Sequence, residues 1–408
     1  MTKTACKVMA MIILADENIP YAHETFETLG EVSTLPGRGI NAASVRDVDL
    51  LLVRSITEVN APLLENSRIV FVGTATIGTD HIDEEYLRSR GIAFASAPGS
   101  NANSVAEYVI AALLTLARRK SRLLKGRTIG VIGVGNCGSR LAKKAEALGM
   151  RVLLNDPPLQ RQTGEAKYRP LQELFGADVL TLHVPLTQEG TDATYHLVDE
   201  PFLRELRPDC ILINTSRGAV VDGEALLSAL NSGGIAGAIL DVWENEPNID
   251  LNLLDRVDIG TSHIAGYSLD GKVNATAMLY EAACQFLGAE QTLDVRSFLP
   301  DPETPRIEIQ DPPDDENTFA EAVRSVYDVE RDDAALREIR SLPPQQRGPF
   351  FDRLRKEYPV RREFQNTEVV LPRSGETREP ARTLAGLGFR VKEPDALRGE
   401  LSDRRKEW

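Results

Sequence analysis

Three glycines, Gly133, Gly135 and Gly138, stand between an apolar run at residues 128–132 and a helix-like stretch at 137–148. A strand, a glycine turn of spacing Gly-x-Gly-x-x-Gly and a helix leave little choice but a βαβ unit in a parallel sheet. The first glycine makes the tight turn, the second admits close approach of a ligand, and the third lets helix and strand pack closely. The unpaired N–H groups at the helix start suit a pyrophosphate. The next apolar run, residues 151–155, ends at Asp156. A carboxylate there accepts hydrogen bonds from ribose hydroxyls and repels a 2′-phosphate, so the pattern predicts NAD rather than NADP.

Short apolar runs recur on both sides of this motif. Residues 11–15, 50–53, 70–72 and 92–94 read as buried strands with helical patterns between them. Residues 103–120 read as a long amphipathic helix, and 179–183, 210–214, 236–242 and 258–261 as further strands. The expectation is an α/β chain with two doubly wound, Rossmann-like parallel-sheet domains, one inserted in the other. Residues 1–104 and 268–289 form the outer, substrate-binding domain, and 105–267 the inner, NAD-binding one. Prolines crowd residues 300–313, which suggests a boundary. Beyond it, 290–395 reads as a small α+β domain and 396–408 as a solvated tail. This small domain carries apolar residues such as Phe319, Val323, Tyr327, Phe350, Phe351, Phe364 and Val369. They are expected to bury surface against something else.

With 408 residues, two or three domains are expected, and a formal charge of -14 argues against non-specific nucleic-acid binding. No apolar run is long enough to span a bilayer. The run at residues 9–14 meets Asp16 at once and reads as a first strand rather than a signal peptide. The four cysteines, Cys6, Cys137, Cys210 and Cys284, are dispersed, which points to reduced thiols in a cytoplasmic protein and to no metal site.

Downstream of the glycine turn come Arg217, Glu246 and His263. Oxidising a 2-hydroxy acid requires a grip on the carboxylate, an acceptor for the hydroxyl proton and control of charge at the oxygen. Arg217 suits the first, because its planar fork matches a carboxylate. His263 is the natural acid/base at neutral pH, and Glu246 could bond its other ring nitrogen. His183 ends a strand and either lines the nicotinamide side or serves the structure. His23 and His196 read as surface or helix-end residues. His81, near Asp80 and Asp83, is a weak metal-ligand candidate.

At these residues the chain resembles the D-2-hydroxyacid dehydrogenase family, over roughly residues 12–287. The resemblance implies catalytic roles for Arg217, Glu246 and His263. It places cofactor contacts at Gly133, Gly135, Asn136, Cys137, Gly138, Asp156, Val184, Thr215, Ser216, Arg217, Asp241 and Gly266. It is tightest to a branch that oxidises a phosphorylated four-carbon hydroxy acid, through residues 15–21, 53–55, 73–81 and 262–269. In that branch Ser55, Thr76 and Tyr267 would touch the substrate, with Arg54 a weaker candidate for the phosphate. Residues 326–333 and 361–364 resemble that branch's own dimerisation domain, which implies a two-fold homodimer. Two alternatives stay open: a family member acting on another acid, such as a 3-phosphoglycerate dehydrogenase, and an NADH-sensing scaffold of the same fold.

Overall fold

The computed structural model describes residues 11–309, 316–372 and 378–392. The N-terminal extension, part of the proline-rich segment and the expected tail at 396–408 lie outside them. The chain divides into two compact units, 1–103 with 267–300, and 104–266 with 301–408.

The first unit holds β1 (Met11–Asp16), β2 (Gly30–Leu35), β3 (Leu50–Val53), β4 (Phe71–Thr74) and β5 (Ala93–Ala95). All pair in parallel, in the order β2-β1-β3-β4-β5. β3 and β4 are buried along their whole length, and β3 accordingly reads as a continuous apolar run. β2 has no such signature: it is an edge strand whose side chains are half-buried or exposed. Helix Leu269–Leu287 returns the chain to this unit, capped by the Ser268 hydroxyl at one end and by left-handed Gly288 at the other. Its Val273, Leu279 and Tyr280 join Ile13, Leu50 and Phe71 in one core.

The second unit holds β6 (Thr128–Ile132), β7 (Arg151–Asn155), β8 (Val179–Leu182), β9 (Ile211–Asn214), β10 (Gly237–Leu240) and β11 (Ile259–Gly260). They form a parallel sheet of order β11-β10-β9-β8-β6-β7. The strand order reverses between β6 and β8, so the crevice at their carboxyl ends is where such a sheet binds ligands. The two parallel sheets match the fold class expected from the sequence, but β2 is a strand that the sequence reading did not include. Among the described residues no helix is long and apolar enough to cross a membrane.

The C-terminal residues contain helices Glu316–Val326, Val329–Arg337, Pro344–Lys356 and Arg378–Leu387, and a three-stranded parallel sheet of β12 (Arg306–Glu308), β13 (Glu368–Val370) and β14 (Arg390–Lys392). Much of their apolar surface, expected against a second copy of the chain, is covered within this one. Leu336, Ile339, Phe350 and Phe351 lie in the same core as Leu226, Trp243 and Leu254 of the second unit. Phe319, Val323, Tyr327, Phe364 and Val369 are buried as well. Asp333 accepts the Gly260 N–H at 2.8 Å, and Arg337 donates to the carbonyls of Leu254 and Val257. The C-terminal residues therefore cover the open edge at β11, a protection that edge strands need.

Candidate functional site

The glycine turn follows β6 at the point of strand reversal. Gly133 is left-handed (φ 86°), and a Cβ there would lie 2.7 Å from the His183 backbone and 2.9 Å from Val184. Only glycine lets the turn sit this close to the end of β8. At Gly138 a Cβ would lie 2.0 Å from the Gly133 carbonyl oxygen, so the third glycine serves helix–turn packing. At Gly135 a Cβ would meet nothing within 4 Å. No protein contact demands glycine there, and the open space fits close approach of a pyrophosphate to the start of helix Asn136–Ala147. The turn is thus a cradle of the right shape for NAD. Cys137 on this helix is no nucleophile, because burial pushes its thiol up to about 11.

Asp156 is engaged twice within the protein. One carboxylate oxygen accepts the Val134 N–H of the glycine turn at 2.8 Å, and the other caps helix Pro157–Thr163 through Leu159 N–H at 3.0 Å. Each oxygen keeps lone pairs for a ligand hydroxyl. His183 is held by Thr181 and Thr215 hydroxyls, and burial lowers its pKa to about 4. It is a neutral ring at physiological pH and no rival to His263 as acid/base.

His263 Nδ1 lies 2.8 Å from Glu246 Oε2. The other Glu246 oxygen accepts the Trp243 N–H at 2.8 Å. Burial by itself would raise Glu246, but His263, the Trp243 N–H and Arg355 outweigh it and hold the carboxyl below its ordinary value. The carboxylate fixes the proton on Nδ1 and leaves Nε2 to exchange a proton with substrate. The pair is only partly buried, with side chains 32% and 19% exposed, so a substrate can reach it.

His263 adopts the left-handed conformation (φ 58°), a cost of roughly 1–3 kcal/mol for a side chain of this kind. Asp241 holds it there. Its backbone carbonyl accepts the His263 N–H at 2.7 Å. Its buried carboxylate accepts the N–H groups of Ile264 (2.7 Å) and Ala265 (3.0 Å) and the Thr261 hydroxyl (2.7 Å). Both oxygens are engaged by the loop, which gives Asp241 a positioning role that its expected cofactor contact does not suggest. Gly266 ends this loop.

Arg217 follows β9. Asn214 orders the turn, donating to the Arg217 carbonyl and accepting from the Ser216 N–H and hydroxyl. Arg217 itself donates to the Ser216 carbonyl. Beside it, a Cβ on Gly218 would lie 1.9 Å from the Trp243 carbonyl oxygen. That contact seats the Arg217 turn on the Trp243–Glu246 turn, and so brings arginine, glutamate and histidine to one end of the sheet.

In the first unit, Arg54 and Ser55 follow β3 and Thr76 follows β4, its neighbour. Ala75 N–H bonds the Val53 carbonyl at 2.9 Å, so the two turns lie side by side. Arg54 donates to the Asn18 carbonyl, and Ser55 is exposed. Tyr267 carries the Lys272 ammonium over its ring at 4.7 Å. The Thr76 hydroxyl donates to the Gly78 carbonyl at 2.9 Å, so it accepts from Thr74, whose oxygen in turn takes the His81 Nε2 proton at 2.9 Å. Burial lowers the His81 pKa, against the pull of Glu58 and Asp80. His81 therefore braces this turn. With its hydrogen turned inward, the Thr76 hydroxyl shapes the turn.

Residues 105–265 match the model of the D-isomer specific 2-hydroxyacid dehydrogenase NAD binding domain, and residues 298–388 match a domain of unknown function. The chain is 51% identical over 360 residues, 88% of its length and 94% of the relative's, to the erythronate-4-phosphate dehydrogenase of Cronobacter sakazakii. It is 48% identical over 380 residues to that of Escherichia coli, covering 93% of this chain and 98% of that one. Among solved structures it resembles D-lactate dehydrogenase from Aquifex aeolicus in complex with NAD and lactic acid, with a TM-score of 0.56 and 28% identity over 68% of this chain and 95% of that one. The TT0316 protein of Thermus thermophilus matches with a TM-score of 0.59 and 28% identity, covering 69% and 99%.

Proposed function

The chain belongs to the D-2-hydroxyacid dehydrogenase family, and from that premise we propose that it oxidises 4-phospho-D-erythronate at C2 to (R)-3-hydroxy-2-oxo-4-phosphooxybutanoate, in the biosynthesis of pyridoxal 5′-phosphate, vitamin B6. The contact between His263 Nδ1 and Glu246 carries the chemistry, because it leaves Nε2 as the base. NAD, when bound in the glycine cradle, supplies the acceptor for the C2 hydride. His263 Nε2 takes the hydroxyl proton, and Glu246 stabilises the imidazolium that results. Arg217 grips the carboxylate and the developing carbonyl oxygen. Asp156 accepts the ribose hydroxyls. In the first unit, Ser55 and the turn shaped by Thr76 receive the phosphate, with Arg54 and Tyr267 as further substrate contacts.

The choice of acid rests on the end-to-end similarity to erythronate-4-phosphate dehydrogenases, which extends through the C-terminal residues. A cytoplasmic homodimer completes the proposal. The free, buried thiols of Cys210 and Cys284 suit a reducing compartment. The dimer rests on the resemblance of residues 326–333 and 361–364 to a dimerisation domain, and sedimentation tests it. The deciding experiment follows NADH formation by purified protein on 4-phosphoerythronate, unphosphorylated erythronate and 3-phosphoglycerate. The phosphorylated four-carbon acid should give by far the highest kcat/KM. Equal efficiency without the phosphate, or preference for 3-phosphoglycerate, would reject the assignment.

A further inference from the structure

The chain crosses between its two units at residues 103–104 and again at 266–267. Two backbone carbonyls flank these crossings within the second unit, those of Ser104 and Ala265. A single nitrogen, Nη2 of Arg361, donates to both, at 3.2 and 2.8 Å. Arg361 comes from the C-terminal residues and is buried. Its guanidinium lies over the Tyr327 ring, 4.2 Å from the centroid. Close by, the hydroxyls of Tyr327 and Tyr358 both donate to the same Asp332 oxygen at 2.8 Å. Nε and Nη1 of Arg361 have no hydrogen-bond partner among the described residues. A buried cation with unmet donors is a poor way to gain stability, since apolar side chains of similar volume often do better. Its position on the carbonyl of Ala265, two residues from His263 and on the loop that Asp241 clamps from the other side, gives it a different use.

We infer that Arg361 is a positioning residue for the oxidation. By bridging the Ser104 and Ala265 carbonyls it fixes the loop that carries His263 and ties that loop to the other chain crossing. Asp241 holds the amides of this loop and Arg361 holds its carbonyl, so the left-handed His263 is pinned from two sides. The C-terminal residues thereby act on catalysis without supplying a group that touches substrate.

This inference rests on the dehydrogenase reading, and the test separates the two. If the wild-type protein forms no NADH from 4-phosphoerythronate, the reading of function fails. If the wild type is active, Arg361→Met and Arg361→Lys decide the inference. Loss of loop position should lower kcat of Arg361→Met on the order of ten- to a hundredfold, with Arg361→Lys intermediate. NADH affinity should hold, because the glycine cradle is untouched, and kcat is the deciding readout, since Arg361→Met also lowers the melting temperature by taking a donor from the Ser104 and Ala265 carbonyls. A purely structural arginine would lower the melting temperature with normal kcat. Either variant with intact NADH binding and kcat within about twofold of wild type overturns the inference. If Arg361→Met does not fold, Arg361→Lys decides alone by the same criterion.

Discussion

Removing the C-terminal residues should destroy the cofactor site, although they contribute none of its contacts. A chain ending at Pro300 loses Leu336, Ile339, Phe350 and Phe351 from the core of the second unit. Burying a large apolar side chain is worth about 1.5–3 kcal/mol, so these four represent about 6–12 kcal/mol. A whole domain is stable by only about 5–15 kcal/mol. The truncation also strips Asp333 from the Gly260 N–H and Arg337 from two carbonyls, which uncovers the edge at β11. The truncated protein should aggregate or expose apolar surface and fail to bind NADH. NADH fluorescence titration with far-UV circular dichroism is the assay. A milder form of the same test is Phe351→Ala in the full chain, which should cost about 3–5 kcal/mol and lower the melting temperature by roughly 10 °C. A soluble truncated chain that binds NADH with wild-type affinity would refute the argument, because its cradle would then fold without this part of the core.

The other expectations concern single side chains of the site. Asp156→Ser keeps a helix cap for Leu159 but removes the charge, so the preference for NAD over NADP should fall about ten- to a hundredfold; an unchanged ratio of kcat/KM values disproves the role of Asp156. Glu246→Gln removes the anion that stabilises the imidazolium formed when the hydroxyl proton is taken, so kcat should fall at least about tenfold with NADH affinity unchanged, and a normal kcat excludes the pair. Because Glu246 is held below its ordinary value, the stability it confers is present above the unfolded carboxylate range and is lost as pH falls through the lower folded value; acid unfolding curves of wild type and Glu246→Gln should converge there. Asp241→Asn puts a donor against a loop amide, so kcat should drop at least about tenfold while NADH affinity changes little; weakened NADH binding with normal kcat would return Asp241 to the cofactor. Thr76→Val breaks the His81–Thr74–Thr76 chain and should raise KM for the phosphorylated acid without altering that for NAD.

Features governed by near neighbours in the chain are legible in the amino-acid sequence itself. The glycine turn is recognisable from its spacing between a strand and a helix, whereas the contacts that require glycine at Gly133 and Gly138 are seen only in the fold. Asp156 is recognisable at a strand end, and a buried strand such as β3 announces itself as an unbroken apolar run. The fold class follows, because alternating strands and helices close most readily as parallel sheets. Arg217, Glu246 and His263 stand out as residue types suited to a reaction, in the order of a known family. Their meeting is not legible, since it depends on Gly218 seating one turn on another and on a carboxylate reaching an imidazole seventeen positions away.

Packing decides the rest. β2 escapes notice because an edge strand shows mixed exposure and carries no clean period. Apolar residues after Pro300 are visible in the sequence, but apolar character is non-directional and does not say which surface it will cover. Only the folded chain shows Phe350 and Phe351 within the cofactor unit. The same holds for polar groups at long range. Nothing in the sequence around Asp241, Thr76 or Arg361 says where their hydrogen bonds go, because a donor finds its acceptor through tertiary distance. The chain's local rules determined the sheets, the cradle and the kind of chemistry. The position of the His263 loop, and of the arginine far along the sequence that bonds its Ala265 carbonyl, were decided by burial, where every polar group must either find a partner or bear the cost of lacking one.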